Sequence, residues 1–444
     1  MEMFKSLQAA LKLPDLRNRI LFVMGMLAVY VFGIWIPIDR ELSKAAQSLE
    51  GGIFDMIDIF GGGSLKRFSI FALGIMPYIS ASIVFQVLAI ALPSIQRLQK
   101  EGEFGRRKIS QYTRWLTMGL TLVQGFMVIY AFKTQGLIPT LSFFHILKAV
   151  LTLMAGTAFL MWLGEQITEK GIGNGISFII FAGIVARLPS ELWQIVELAR
   201  QGSVAWFNVF VLFAFAIGTV VAIVTVTQGE RRIPVRYADR VAGRRVIRGV
   251  RTHLPLRMAQ AGVMPIIFAV TVVMLPAQIL QFVQPVMQGR EMLGMDLTLM
   301  AAKVVNFFTP GQSHIAALLY AALVMAFTYF YTAVVMDVRE LADNLKKSGG
   351  QIQGFAPGLP TAQYIDRVLT RITFAGGLFL ALVALSQYYV PGWAGFSAVR
   401  FSLIGGTSVL IVVGVALETM NQLEQQLKLR QYEGFHIGGG RKAA

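Results

Sequence analysis

Residues 201–229 read QGSVAWFNVFVLFAFAIGTVVAIVTVTQG, and residues 230–257 read ERRIPVRYADRVAGRRVIRGVRTHLPLR. The first stretch carries no charge over a length that crosses a bilayer core of about 30 Å, which takes roughly 20 helical residues. The second holds nine arginines: Arg231, Arg232, Arg236, Arg240, Arg244, Arg245, Arg248, Arg251 and Arg257. An apolar span that ends in a crowd of cations is the pattern of a membrane helix emerging on the cytoplasmic face.

The pattern repeats on either side. Uncharged, mostly apolar runs cover Ile20–Ile38, Phe68–Gln96, Trp115–Phe132, Ala149–Gly164 and Gly171–Ala186 before this one. Met258–Gly289, Val304–Met336, Ile372–Val399 and Phe401–Leu417 follow it, so ten spans are predicted. The fourth and fifth runs are only 16 residues long and must borrow uncharged or snorkelling flanks. With 55% hydrophobic and 14% charged residues in 444, the chain has too little polar surface for a water-soluble fold. An even number of spans puts both termini on one side. Of 40 Lys and Arg, 29 fall on that side and 11 on the other, which makes it cytoplasmic. The +16 net charge is then mainly a topological signal and requires no nucleic acid. The first run follows Lys5, Lys12, Arg17 and Arg19 without a small-residue cleavage site, and reads as a retained helix.

Several chemistries are excluded. There is no cysteine, so disulfides, thiolate metal sites and Cys nucleophiles are absent. The four histidines are scattered, no Walker A pattern occurs, and Gly171–Gly175 (GIGNG) reads as a helix start between spans. No catalytic residue, metal or cofactor is expected. The ten runs contain no Asp, Glu, Lys or Arg, which argues against a proton relay or an intramembrane acid–base enzyme. A passive conduit remains, or a scaffold, or a carrier using polar groups such as Gln86, Gln124, Asn174 and Gln260.

Two irregularities favour the conduit. Gly61-Gly62-Gly63-Ser64 precedes Leu65–Leu73, Gly74 and Pro77; Ser64 is placed to cap a helix of about ten residues, too short to cross the core. Such a re-entrant piece is tolerated only when packed in protein or lining a cavity, and an ordinary external loop helix is the competing reading. Further, five spans lie on each side of about Arg200, and five being odd, the halves must run in opposite directions, as in inverted-repeat conduits. The basic loop 228–257 uses arginine throughout, which suits bidentate contacts with phosphate or carboxylate and points to a docking surface. The loop 337–371 is likewise too long for a simple turn.

The chain resembles the SecY family, the central subunits of bacterial protein-export channels. The resemblance is carried end to end by Phe71–Ile83 (FALGIMPYISASI), Gly105–Arg114 (GRRKISQYTR), Gly171–Ser177 (GIGNGIS), Ala261–Pro265 (AGVMP), Ala342–Gly349 (ADNLKKSG) and Gly405–Ser408 (GGTS). It implies an all-α membrane protein of ten transmembrane helices. They form two inverted five-helix halves around a pore, residues 1–200 and 201–431, with a cytoplasmic tail over 432–444. Matching positions imply a pore ring of Ile79, Ile83, Ile176, Ile180, Ile267 and Ile411. The segment 61–74 would be a plug helix, including Gly63, Ser64, Leu65, Lys66, Arg67, Phe68, Ile70 and Phe71, with Lys66 and Arg67 near its solvated outer end.

A lateral gate lies, by the same resemblance, between the second and third and the seventh and eighth spans, opening to membrane lipid. Ser82, Gln86, Asn174 and Gln260 are its candidate polar contacts, with ordinary interhelical hydrogen bonds as the competing reading. Motor docking falls on Arg240, Arg244, Arg245, Arg248, Arg251, Lys346, Lys347 and Ala356. The implied partners are small SecE and SecG subunits, the SecA ATPase, the ribosome with its rRNA phosphates, and preproteins bearing signal sequences. The implied location is the bacterial inner membrane. Two positions depart from the family pattern: Ala356 in Gly354–Gly358 (GFAPG), where arginine is usual, and Ala259, where asparagine is expected. An inverted-repeat transporter of a small solute is the alternative.

Overall fold

The computed structural model describes residues 8, 10–47, 58, 61–134, 142–237, 240–242, 245–247, 251–260, 262–287, 291–292, 295–296, 303–304, 307, 313–393, 395 and 406–438. The first part of the chain gives α1 (Pro14–Ile34), the short α2 (Arg40–Gln47), α3 (Met76–Ala91), α4 (Pro93–Lys100) and α5 (Glu103–Thr134). It continues through α6 (Phe143–Lys170), α7 (Gly175–Arg200) and α8 (Trp206–Gln228). Four strands follow, β1 (Glu230–Tyr237), β2 (Arg240–Ala242), β3 (Arg245–Ile247) and β4 (Arg251–Arg257), before α9 (Met264–Met287) and the two-residue strands β5 (Glu291–Met292) and β6 (Met295–Asp296). The remainder is α10 (His314–Val335), α11 (Val338–Lys347), β7 (Gly350–Ile352), α12 (Leu359–Trp393) and α13 (Gly406–Gly438).

Each of the ten uncharged runs thus carries an apolar helix. Among the described residues eight helices are long and apolar enough to cross a bilayer, and α3 with α4 passes the same test as a pair bent by 105°. The bend sits at Leu92, which is extended (φ −112°, ψ 113°) because the ring of Pro93 disfavours a helical residue before it. The 24-residue α9 fills the seventh position. The two short runs borrow their flanks as required, α6 reaching 28 residues and α7 reaching 26.

At 16 residues, α3 is only about 24 Å long, short of a bilayer core of about 30 Å. Residues 62–75 lead directly into α3. Here the expected helix capped by Ser64 is not formed: the segment is a chain of turns. The cause is local, since Gly62 (φ 73°), Gly63 (φ 84°) and Gly74 (φ 55°) sit in the left-handed region, as does Phe68 (φ 45°).

Backbone packing divides the chain into two compact units. One comprises residues 1–203, 274–309 and 415–444; the other comprises 204–273 and 310–414. In the second unit the arginine-rich loop, read from sequence without strands, is a β-ribbon. Strands β4, β1 and β7 form an antiparallel sheet in that order, with Ile233 opposite Leu254 and Val235 opposite both Thr252 and Ile352. Its inner face places Ile233, Val235, Leu256 and Ile352 against Ile365 of α12, with Phe355 stacked on Tyr364 at 4.2 Å. Beyond the sheet, β2 and β3 pair as a smaller ribbon.

Because Ile365 is fully buried under the sheet, Ile365→Ala is expected to weaken this small core by about 2–5 kcal/mol. Limited trypsin digestion of the purified membrane protein checks it: cleavage at the arginines of 230–257 should accelerate while the helical remainder stays intact.

Candidate functional site

The segment 62–75 lacks a continuous helical ladder: local turn bonds such as Phe68 N–H to the Leu65 carbonyl (2.9 Å) and Ser69 N–H to the Ser64 carbonyl (2.9 Å) meet part of its backbone, and the rest needs other partners. Asp58 supplies several. The Leu65 and Lys66 N–H groups donate to its Oδ1 at 2.8 and 3.3 Å, and the Gly63 N–H donates to its carbonyl at 3.2 Å. Asp58 therefore does the capping expected of Ser64, whose buried hydroxyl has no partner among the described residues. The stem after α1 supplies two more bonds: Ile38 N–H donates to the Phe68 carbonyl (3.0 Å) and Ile70 N–H to the Ile36 carbonyl (3.1 Å).

The side chains of the segment are seated in the first unit. Phe68 is fully buried, 5.5 Å from the Phe132 ring of α5, within a core that includes Leu65, Leu73 and Leu153. Phe71 stacks between Tyr30 of α1 (5.9 Å) and Phe159 of α6 (6.0 Å). Two glycines make this possible. A Cβ at Gly33 would lie 2.0 Å from the Phe71 ring, and one at Gly156 would lie 1.9 Å from the Ile70 carbonyl oxygen. The positive φ of Phe68 costs of order 1–3 kcal/mol, so packing holds the backbone under strain.

Charge is also buried here. Arg187 of α7 reaches Asp58 (Nη1 to Oδ2, 3.3 Å) and Glu191 (Nε to Oε1, 3.3 Å). The Asp58 side chain is 1% exposed, that of Glu191 5% and that of Arg187 15%. Burial pushes the Asp58 carboxyl above the usual carboxylate range, while Arg187 and the two N–H donors pull it back. Arg67, which the sequence placed at a solvated outer end, is half-buried with its guanidinium 3.7 Å above the Trp35 ring. Lys66 is partly buried as well.

The six isoleucines fall on four helices. Ile79 and Ile83 lie on α3 and Ile180 on α7, all buried; Ile176, one turn before Ile180, is half-buried beside Gly164 of α6. Ile267 of α9 and Ile411 of α13 are buried in the second unit. Of the polar gate candidates, Gln86 donates to Ser82 along α3 (3.2 Å). Asn174 caps α7, its Oδ1 accepting from the Ile176 and Ser177 N–H groups at 3.0 and 3.4 Å. That agrees with reading GIGNG as a helix start. Gln260 accepts from the Arg257 N–H (3.1 Å) and donates to the Met336 sulfur (3.7 Å), tying the start of the seventh span to the end of the eighth.

On the outer face of the sheet Arg236 stands directly opposite Arg251, both exposed, while Arg232 pairs with Glu230 at 2.7 Å. Like charges placed opposite each other are unfavourable unless an anion joins them. Arg240 and Arg245 lie on the β2–β3 ribbon; Arg244 and Arg248 lie outside the described residues. Lys346 and Lys347 end α11, and Ala356 is exposed in the turn before α12.

The SecY family profile matches residues 69–420. This chain belongs to the SecY family. It is 43% identical to protein translocase subunit SecY of Escherichia coli over 429 residues, covering 95% of this chain and 94% of the relative. It is 42% identical to the same subunit of Thermus thermophilus over 451 residues, covering 98% of each. Among solved structures it resembles a protein conducting channel, with TM-score 0.65 and 16% identity over 92% of this chain and 91% of that one. It also resembles Sec61 in the canine ribosome-channel complex from the endoplasmic reticulum, with TM-score 0.63, 16% identity and the same coverage. The likeness to these structures shows that the fold is that of the protein-conducting channels.

Within this SecY-family fold, sequence reasoning missed Asp58, Arg187 and Glu191, which lie outside the uncharged runs, and the seat glycines Gly33 and Gly156. Arg187 directly follows the fifth run, but nothing in the sequence links it to Asp58, 129 positions earlier. The seat itself is testable. The cysteine-free chain lets a single Ser69→Cys report on it; buried Ser69 should react slowly with an impermeant maleimide added opposite the basic loops. Adding Gly156→Ala should lift the segment and speed labelling by about tenfold or more.

Proposed function

We propose that this chain is the channel through which unfolded preproteins cross the bacterial inner membrane. Apolar segments of about 20 residues leave it sideways into lipid. The observation that supports the reading is the segment 62–75, non-helical backbone between two apolar helices, with its Phe68 and Phe71 rings buried in the first unit. A plug of this kind has a purpose in a pore wide enough to need closing. The ten charge-free runs fit the same account, because a conduit for chains of any sequence must not bind any of them tightly. A ring of Ile79, Ile83, Ile176, Ile180, Ile267 and Ile411 between inverted halves, 1–200 and 201–431, would exclude water at rest and fit around an extended chain. A small-solute carrier is not favoured, since such carriers use charged or broken-helix sites at mid-membrane.

The chain performs no chemistry in this account, and the work comes from outside. SecA and the translating ribosome would dock on the basic side, the ribosome through its RNA phosphates. Arg236 and Arg251, with Arg240, Arg244, Arg245 and Arg248 and with Lys346 and Lys347, would offer the cations. SecE and SecG are the small membrane partners, and both termini are cytoplasmic. Ser82, Gln86, Asn174 and Gln260 would serve the lateral gate, with Ala259 loosening it. Ala356 leaves an exposed turn without the usual arginine.

Reconstitution of the complex with SecA, ATP and a signal-bearing preprotein should yield protease-protected product inside vesicles. Arg236→Glu with Arg251→Glu should reduce that yield by about tenfold, with the complex intact. Uptake of a small solute instead, or no protected product even after Ala356→Arg, would contradict the proposal.

A further inference from the structure

We infer that the buried Asp58–Arg187 pair, braced by Glu191, is the latch that keeps the segment 62–75 seated. The inference rests on the plug reading above and names the residues that set how readily the plug leaves.

The seated segment is under load. Phe68 holds a left-handed backbone (φ 45°), and the Ser64 hydroxyl is buried without a partner among the described residues. Both gain when the segment moves to water, so something must oppose the move. Apolar packing on the glycine seats contributes, as do the two backbone bonds to the Ile36–Ile38 stem, but neither ties the segment to α7. The Asp58 carboxylate is different. One oxygen organises the Leu65 and Lys66 turn, and the other accepts from Arg187, which belongs to α7. A single side chain thereby joins the moving element to a fixed helix.

The surroundings make the joint strong and reversible. Glu191 holds the Arg187 Nε at 3.3 Å from the following turn, so the guanidinium is aimed before Asp58 arrives. Arg67, stacked on Trp35, and Lys66 add further cations near Asp58, so the carboxylates of Asp58 and Glu191 lie among three cations. Once the segment moves, Arg187 keeps Glu191 and Asp58 gains water. The open state is therefore not penalised by a stranded arginine, as a latch requires.

The test uses the whole complex in planar bilayers, reading resting ion conductance and translocation of a preprotein with a weakened signal sequence. Asp58→Asn and Arg187→Gln should each raise resting conductance by about tenfold or more and relieve the signal defect. The double variant Asp58→Asn/Arg187→Leu distinguishes a latch from a fold that merely resents an unpaired charge. A latch predicts that the double variant leaks as much as either single one. Restoration of parental conductance in the double variant would overturn the inference, as would parental conductance in both single variants. Deletion of residues 62–73 separates the two levels of the account. If the deletion leaks and the latch variants do not, the plug reading stands and the latch falls; if the deletion does not leak, both fall.

Discussion

A hydrocarbon core accepts neither an unpaired backbone polar group nor an isolated charge, and this constraint organises the whole chain. It explains why ten runs are helical and uncharged. It also explains what must happen where a helix is too short. The 16-residue α3 is preceded by a chain of turns, whose polar groups are met by its own turn bonds, by Asp58 and by the Ile36–Ile38 stem. The glycine seats at Gly33 and Gly156 let that backbone lie close enough to be covered.

The same constraint shapes the function. A conduit that prefers no particular substrate must present walls without directional bonds, and the ten runs, free of Asp, Glu, Lys and Arg, are compatible with that requirement. Charge is then available for other tasks at the margins. On the basic side, Arg236 and Arg251 face each other on an exposed sheet. Between the uncharged runs, Arg187, Asp58 and Glu191 are buried together, where a few charges have a large effect because little water screens them.

The spans were legible because hydrophobicity and charge are recorded residue by residue. Family membership was legible through motifs such as FALGIMPYISASI and GIGNGIS, and the position of an irregular segment before α3 through its glycines. Its conformation was not. Ser64 looks like a helix cap locally, but the cap is Asp58, whose effect depends on a chain reversal and on an arginine 129 positions away. The β-ribbon was missed for a related reason. Its arginines dominate the local pattern, and the apolar Ile233, Val235 and Leu256 form a core only with Ile352 and Ile365 from far downstream. Asn174 shows the converse, since helix capping is local and the sequence already marked a helix start there.

The central claim is that an extended polypeptide passes through a ring of these isoleucines. The most direct measurement arrests a preprotein in transit through the reconstituted complex, with a photocrosslinker placed in turn at Ile79, Ile83, Ile176, Ile180, Ile267 and Ile411. Control positions are Phe210 and Leu318, which are 70% and 73% exposed on apolar helices. The account predicts adducts to the arrested chain from the six positions and lipid adducts from the controls. Adducts from the controls with none from the six would contradict it.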